Sequence, residues 1–382
     1  MKNIVLPDYN NSILNTINSI LKNYNVKTKY QGLEILDKIL EKKYKNIVFM
    51  ILDGMGEHIL NNASPDGFFK QNQKQVITSV YPSTTTAAMT TYYSGRPPIE
   101  TGWIAMSQYF KEYGRAMEMM REIDSYTKEK YTEAQIDVFN DIVGYKTIYD
   151  KIEEASPDVK AYEVSPAYCK IRSKRSCNAD SIDLICEQIQ SICTNNDKNF
   201  IFSYIEKPDT LLHKYGCKSK EVKEFIIHAE EKIKQMCKNL KDTSTLVIVS
   251  ADHGHKDINR IYTIADMKDI QECLYLPPSL EARVVSFWVK ENKKEEFEKL
   301  FKNYFEGEYL LYTKEEFLNK NFLGYGEKHP KVDDFIGNYI ALSISDSIIK
   351  LGTKLTKPKE DKKSTHCGLT PDEMEVPLIV VE

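Results

Sequence analysis

Apolar positions follow two different periods along this chain. Near the N-terminus they have helical spacing, over residues 13–21 and again over residues 33–40. Three later segments are continuous apolar runs of strand length, at residues 46–52, 199–205 and 245–250. Such runs are typical of strands buried in a parallel sheet. The pattern predicts a central sheet with amphipathic helices packed on its outside.

Helical patterns separate the predicted strands, at residues 181–193 and 221–240. This alternation of strand and helix predicts an α/β fold with a mostly parallel, doubly wound sheet. A further apolar strand is expected at residues 376–381.

The pattern changes between residues 257 and 363. A strand is predicted at residues 284–289, a charged helix at 293–304 and a short strand at 309–312. We therefore expect a catalytic core formed by residues 1–256 and 364–382, with residues 257–363 inserted as a small α+β cap.

Composition narrows the class of protein. The chain has 382 residues, of which 41% are hydrophobic and 28% charged, as in globular proteins. A net charge of -4 disfavours a nucleic-acid polymer as partner. The chain begins without the pattern of a signal peptide and has no apolar run that could cross a membrane. We expect a cytoplasmic protein with no membrane partner; its oligomeric state is left open.

Carboxylates and imidazoles follow the three predicted buried strands. Asp53 follows the first strand, Asp209 and His213 follow the second, and Asp252 and His253 follow the third. The carboxyl ends of parallel strands form the ligand crevice of an open α/β sheet, so these side chains should meet. A surface ion pair for Asp209 and His213, and a structural histidine at His253, are the alternative interpretations.

Two further histidines stand in glycine-bearing turns. His255 lies just beyond His253, where it could orient a metal ligand or contact phosphate. His366 precedes the last predicted strand and could deliver one ligand from far along the chain; taken alone, it would more often be a surface histidine. Oxygen and nitrogen donors side by side suit zinc or manganese.

A cluster of hydroxyls predicts a helix N-terminus. Pro82 is followed by Ser83, Thr84, Thr85 and Thr86. The free N–H groups and the dipole at such a terminus favour a phosphoryl group. The alternative role, capping of the helix, must apply to at least one of the three threonines.

Together, these segments resemble the alkaline phosphatase superfamily, and specifically its type I phosphodiesterase/nucleotide pyrophosphatase family. The resemblance spans about residues 46–381 and is weak across the cap. It implies a three-layer sandwich and two divalent metal ions, zinc or alternatively manganese. By the family pattern, one metal is held by Asp209, His213 and His366, and the other by Asp53, Asp252 and His253, with Thr85 as nucleophile and additional metal ligand. Thr86 and His255 are expected to contact the substrate.

The resemblance also implies a function. We expect a phosphodiesterase or nucleotide pyrophosphatase that acts through a phosphothreonine intermediate on a small phosphorylated substrate, such as a nucleotide. A phosphomonoesterase or phosphonate hydrolase of the same superfamily is the alternative, since one metal pair serves several leaving groups. A metal-stabilised binding module without turnover is the alternative from another class.

Overall fold

The computed structural model describes residues 3–130, 143–170, 172–351 and 361–382. Their strands form two seven-stranded sheets and two short two-stranded sheets. In chain order the strands are β1 (Asn46–Leu52), β2 (Gln73–Thr78), β3 (Ser107–Phe110), β4 (Arg115–Glu118), β5 (Ile123–Asp124), β6 (Val159–Ser165), β7 (Arg175–Asn178), β8 (Lys198–Ile205), β9 (Thr245–Ser250), β10 (Lys256–Asp257), β11 (Arg260–Thr263), β12 (Leu274–Glu281), β13 (Val284–Val289), β14 (Tyr309–Thr313), β15 (Tyr339–Ser343), β16 (Ser347–Lys350), β17 (Ser364–Thr365) and β18 (Glu375–Val381).

The α-helices of the same residues vary from single turns to the five-turn helix α10. They are α1 (Ile13–Asn23), α2 (Glu34–Leu40), α3 (Glu57–Ala63), α4 (Phe68–Asn72), α5 (Thr85–Ser94), α6 (Pro98–Thr101), α7 (Ile148–Ala155), α8 (Ile182–Cys193), α9 (Asp209–Tyr215), α10 (Lys220–Asn239), α11 (Lys268–Cys273), α12 (Lys294–Phe305), α13 (Lys314–Asn319), α14 (Val332–Phe335) and α15 (Pro371–Met374).

The central sheet has the strand order β2-β18-β9-β1-β8-β6-β7. Strand β1 pairs in parallel with β8 on one side and with β9 on the other. Only β18 opposes its neighbours, since it runs antiparallel to both β9 and β2. The prediction of a mostly parallel sheet is confirmed, and the three predicted buried strands are its centre.

Burial explains why these central strands are apolar throughout. Every residue of β1 is buried, as is every residue of β8 after the first. Helices α1, α2, α5 and α7 pack together as one group, and α3, α8 and α10 pack as a second group. Both groups share one hydrophobic core with the sheet. The predicted three-layer α/β sandwich is confirmed, and it leaves the strand ends as the place for polar side chains.

The second sheet has the order β14-β15-β13-β12-β3-β4-β5. Helix α12 covers it with Phe297, Phe301 and Phe305. Strands β3 to β5 precede residue 257, so this sheet takes strands from residues 107–124 as well as from residues 274–343. That residues 257–363 form a distinct cap stays a prediction.

A buried ion pair joins the second sheet to the C-terminal segment. Arg283 is fully buried and donates two hydrogen bonds of 2.6 Å to the carboxylate of Glu373. It also donates to the carbonyl oxygens of Ser345 and Ser347. Glu373 accepts further hydrogen bonds from the Gly368 amide and from the Thr370 hydroxyl. Four hydrogen bonds from the guanidinium and four to the carboxylate therefore compensate the burial of the two charges.

All eight cysteines are free thiols, as their scattered positions indicate. Within the ranges given above, no helix has both the length and the apolar character needed to cross a membrane. The cytoplasmic location stays a prediction.

Candidate active site

Three aspartates meet at the carboxyl edge of the central sheet. Asp53 directly follows β1, Asp252 stands two residues after β9, and Asp209 begins helix α9 beyond β8. The backbone itself holds these turns together. The Asp209 amide donates to the Asp53 carbonyl at 2.8 Å, and the Gly54 amide donates to Asp252 Oδ1 at 3.0 Å.

Asp53, Asp252 and His253 form the first cluster of potential metal ligands. Their ligand atoms lie within 4.8 Å of one another, and all three residues are buried. His253 Nε2 is 3.4 Å from a carboxylate oxygen of each aspartate. Asp53 Oδ1 and Asp252 Oδ2 have no hydrogen-bond partner among the described residues. The Tyr204 hydroxyl, which sequence reasoning missed, donates to Asp53 Oδ2 at 2.6 Å.

Asp209, His213, His255 and His366 form the second cluster, again with ligand atoms within 4.8 Å. Asp209 Oδ1 lies 3.4 Å from His213 Nε2 and 3.7 Å from His366 Nε2. His255 Nε2 lies closer, at 2.6 Å. The rings of His253 and His366 stack with their centroids 3.9 Å apart, so the two clusters are contiguous.

The structure therefore brings together all six side chains that the family pattern assigns to the metals, and it adds His255 to the cluster around Asp209.

Nε2 of His253, His255 and His366 faces the aspartates of the site, whereas Nε2 of His213 lies 3.4 Å from Asp209 Oδ1 and also accepts from Lys362 Nζ at 2.9 Å. The Nδ1–H of His253 donates to the Gly254 carbonyl, and that of His213 donates to the Ser364 carbonyl. The Ser364 hydroxyl donates to the Leu212 carbonyl, so its oxygen accepts from His255 Nδ1. Ser364 thus orients two histidines. Only its position beside His366 in a polar turn could have indicated this role.

Mutual repulsion and burial control the charges of the site. Burial and the neighbouring carboxylates of Asp252 and Asp209 raise the pKa of Asp53 well above its usual value. Burial raises the pKa of Asp252 to about 7. Burial alone would also raise the pKa of Asp209, but the imidazole of His213 and that of His255, which lies at hydrogen-bond distance, hold it well below its usual range. Burial lowers the pKa of His255 to about 3, so this imidazole is neutral at pH 7.

The three adjacent threonines have different surroundings. Thr84 is the residue before helix α5, and its hydroxyl donates to Glu281 Oε1 at 2.7 Å. Thr85 Oγ1 faces the first cluster, at 3.2 Å from His253 Nε2 and 3.4 Å from Asp53 Oδ2. Thr86 is buried, and its hydroxyl has no hydrogen-bond partner among the described residues. Of the three hydroxyls, that of Thr85 contacts the cluster of Asp53, Asp252 and His253.

Glu281 and Cys367 also border the site, and sequence reasoning gave them no role there. Glu281 ends strand β12 of the second sheet. Its Oε1 accepts from the Thr84 hydroxyl and from the Met106 amide, and its Oε2 accepts from the Cys367 thiol. Contacts between segments so far apart leave no signal in one sequence.

Carboxylates and imidazoles around a hydroxyl at a helix N-terminus, at the carboxyl edge of an α/β sheet, form a site suited to phosphoester hydrolysis. The sequence model of one family of phosphoester hydrolases, type I phosphodiesterase / nucleotide pyrophosphatase, matches residues 47–337. The chain belongs to this family and is a hydrolase of phosphoester bonds. The predicted resemblance is confirmed. No curated protein matches the sequence.

Solved structures with the same fold include two kinds of enzyme. Murine ectonucleotide pyrophosphatase / phosphodiesterase 5 is 16% identical, with a TM-score of 0.64 and 87% of each chain covered. An inactive variant of that protein is known in complex with AMP. Phosphonoacetate hydrolase from Sinorhizobium meliloti 1021, in complex with phosphonoformate, is 16% identical with a TM-score of 0.61, over 87% of this chain and 89% of that one.

Proposed function

We propose that this protein is a metal-dependent phosphodiesterase or nucleotide pyrophosphatase in which Thr85 is the nucleophile. The observation that carries the proposal is the position of Thr85 Oγ1, 3.2 Å from His253 Nε2 and 3.4 Å from Asp53 Oδ2. A hydroxyl at a helix N-terminus beside such a cluster has the geometry of an activated nucleophile. Membership of the family supports the same reaction class.

The two clusters fit two divalent ions. Asp53 Oδ1 and Asp252 Oδ2 are buried and lack a hydrogen-bond partner in the described ranges, which is costly unless a cation faces them. In the second cluster, Nε2 of His255, His213 and His366 lies 2.6, 3.4 and 3.7 Å from Asp209 Oδ1, so nitrogen and oxygen donors of the kind that bind zinc converge there. Oxygen and nitrogen donors in these numbers favour zinc, with manganese as the alternative.

In this proposal Asp53, Asp252, His253 and Thr85 hold one ion, and Asp209, His213 and His366 hold the other. When bound, divalent ions supply positive charge that promotes ionisation of a hydroxyl and offsets charge on phosphoryl oxygens.

The residues of the chain then have defined roles in two steps. Asp53 and His253 keep Thr85 Oγ1 at the cluster, and the Thr85 hydroxyl donates to Asp53 Oδ2, which is the oxygen that would accept its proton. Attack of Oγ1 on phosphorus forms the phosphothreonine bond and expels the alcohol or phosphate leaving group. Water then attacks phosphorus on the opposite side of the Thr85 bond and restores the hydroxyl. In this proposal, the N–H groups of the first turn of α5 and the Thr86 hydroxyl, which is buried without a partner among the described residues, bind phosphoryl oxygens.

Replacement of the nucleophile tests the proposal. We expect Thr85→Ala to lower kcat/KM for bis(p-nitrophenyl) phosphate by at least about 10³-fold, because the covalent route is lost. Thr85→Ser should retain part of the activity, and acid quenching during turnover should trap a phosphorylated Thr85 in the wild type. Thr194→Ala, at an exposed helix end, is the matched control. Full turnover by Thr85→Ala would refute the nucleophile assignment.

A phosphonate hydrolase is the second candidate. The fold is shared with a phosphonoacetate hydrolase, and one site of this kind accepts several leaving groups. Absence of any turnover with zinc, manganese or cobalt across diesters, monoesters and phosphonates would instead support a binding module.

A further inference from the structure

Cys367 has a backbone conformation that is unfavourable for its residue type. Its φ is +91°, in the region that glycine adopts without cost. The positive φ thus falls on the cysteine and not on the adjacent Gly368. Its side chain is fully buried between His366 and the second sheet. Strained non-glycine residues persist where the surrounding structure holds them, often at functional sites, so we asked what the thiol contributes.

The thiol bridges a potential metal ligand and a carboxylate. Cys367 Sγ lies 3.2 Å from His366 Nδ1 and 3.1 Å from Glu281 Oε2. A thiol has a single hydrogen, and the carboxylate can only accept it. Sulfur therefore accepts from His366 Nδ1–H, and Nε2 of His366 keeps its lone pair directed at the cluster around Asp209.

The carboxylate of Glu281 is held by the segment that precedes Thr85 and by the backbone at Met106. Its Oε1 accepts hydrogen bonds from the Thr84 hydroxyl at 2.7 Å and from the Met106 amide at 2.9 Å. Because Thr84 immediately precedes Thr85, one carboxylate contacts both the start of helix α5 and, through the thiol, the loop of His366.

We propose that Cys367 is a positioning residue that transmits the orientation of Glu281 to His366. Histidines that bind metals usually donate their second N–H to a carboxylate, a carbonyl or water, and loss of that partner typically weakens metal binding. Here a thiol stands between imidazole and carboxylate. Of the three histidines proposed as metal ligands, His213 and His253 donate instead to main-chain carbonyls, so His366 is the one whose second ring nitrogen contacts a side chain. The inference rests on the proposed metal dependence.

A glycine substitution separates the thiol from the backbone strain. Cys367→Gly keeps the positive φ but removes its cost, because glycine adopts this conformation without strain. It also removes the thiol between His366 and Glu281. We expect the metal-free variant to unfold at the same temperature as the wild type or higher, yet to bind zinc at the Asp209 cluster roughly 10- to 100-fold more weakly in a chelator competition. Its cobalt form should show a changed visible absorption spectrum, because the imidazole is no longer held.

Two conservative variants complete the experiment. Cys367→Ser retains one donor and one acceptor, so we expect its zinc affinity and cobalt spectrum to lie closer to the wild type than those of Cys367→Gly. Cys273→Ser is the control: it changes a buried thiol that donates to the Asp269 carbonyl in another part of the fold. It should leave the zinc affinity and the cobalt spectrum unchanged.

Glu281→Gln supplies an independent test, including the case in which Cys367→Gly does not fold. The amide can still accept from Thr84 and Met106 through its oxygen but cannot accept the thiol hydrogen. We expect Glu281→Gln to reproduce the loss of zinc affinity. The double variant Glu281→Gln with Cys367→Gly should bind zinc no more weakly than the single variants do, because both substitutions interrupt the same chain of hydrogen bonds.

The outcomes are distinct for the two proposals. Wild-type zinc affinity in both Cys367→Gly and Glu281→Gln would overturn this inference while the proposed function stands. A wild-type protein that binds no metal and turns over nothing would overturn the proposed function instead.

Discussion

At the scale of residues, the buried aspartates make the metal-free site sensitive to pH. An aspartate in an unfolded chain has a pKa of about 3.9. Asp252 is raised to about 7 by burial, and Asp53 is raised well above its usual value by burial and by the charges of Asp252 and Asp209. The folded state binds these protons more tightly than the unfolded state, so Asp252 lowers its stability as pH rises from about 4 to about 7, and Asp53 acts in the same direction.

Bound metal should reverse this effect, because its ligands must be deprotonated. We therefore expect zinc to raise the unfolding temperature more at about pH 8 than at about pH 5, as measured by calorimetry with and without chelator. Asp252→Asn should reduce the difference. An increase that is equal at both pH values would contradict the proposed ligand set.

The Thr86 hydroxyl gives a second prediction at this scale. It is buried without a partner among the described residues, and it follows the proposed nucleophile. Thr86→Val keeps the shape but removes the hydroxyl, so we expect kcat/KM to fall about tenfold, which corresponds to one hydrogen bond to a charged group. Metal content should stay the same. Unchanged kinetics would assign Thr86 to packing alone.

The sequence identifies site residues that directly follow a buried strand. It does not identify residues that reach the site only through contacts between distant segments. Asp53, Asp209 and Asp252 were identifiable because each follows a buried apolar run, and the structure brings them together. Glu281 and Cys367 contact each other across 86 residues, and no local pattern marks such a pair. The surroundings of Thr84, Thr85 and Thr86 likewise depend on tertiary packing, so a run of hydroxyls indicated the site while the family pattern selected one of them.

At the scale of elements, the Arg283–Glu373 pair connects strands of the second sheet with the loop of His366. Arg283→Met would leave Glu373 buried without its cation, so we expect it to lower the free energy of unfolding by roughly 3–5 kcal/mol in urea titrations. Lys38→Met breaks an exposed pair with Glu34 and should change stability little. Equal effects of the two substitutions would show that the buried pair contributes no more than a surface pair.

Prediction of the elements themselves succeeded in the central sheet and also for β13, β14 and α12, which were expected at residues 284–289, 309–312 and 293–304. Strands β1, β8 and β9 are buried on both faces, so their sequences are continuous apolar runs that differ from amphipathic helices. Pairing of β12 with β3 joins segments from different parts of the chain, and residue periodicity does not report such a partner. The sequence therefore predicted β13 and β14 of the second sheet, but it did not predict that β3, β4 and β5 join them.

At the scale of the whole molecule, the family defines the reaction class, and relative rates with different substrates identify the preferred leaving group. We expect bis(p-nitrophenyl) phosphate to be hydrolysed with a higher kcat/KM than p-nitrophenyl phosphate. Phosphonoacetate should be assayed in parallel, because a phosphonoacetate hydrolase shares the fold. A preference for the monoester or the phosphonate would contradict the diesterase proposal and leave the Thr85 chemistry intact.

The position of β18 has a consequence for biosynthesis. Strand β2 joins the central sheet only through β18, which lies between β2 and β9. Residues 73–78 thus remain without their neighbour on the ribosome until residues 375–381 have emerged. The Asp53 cluster can assemble once residue 253 is made, whereas the Asp209 cluster waits for His366. During synthesis, the cluster of Asp53, Asp252 and His253 can therefore be complete while β9 still lacks its neighbour β18. An unpaired strand edge promotes aggregation, so we expect chaperone binding to matter most at this stage.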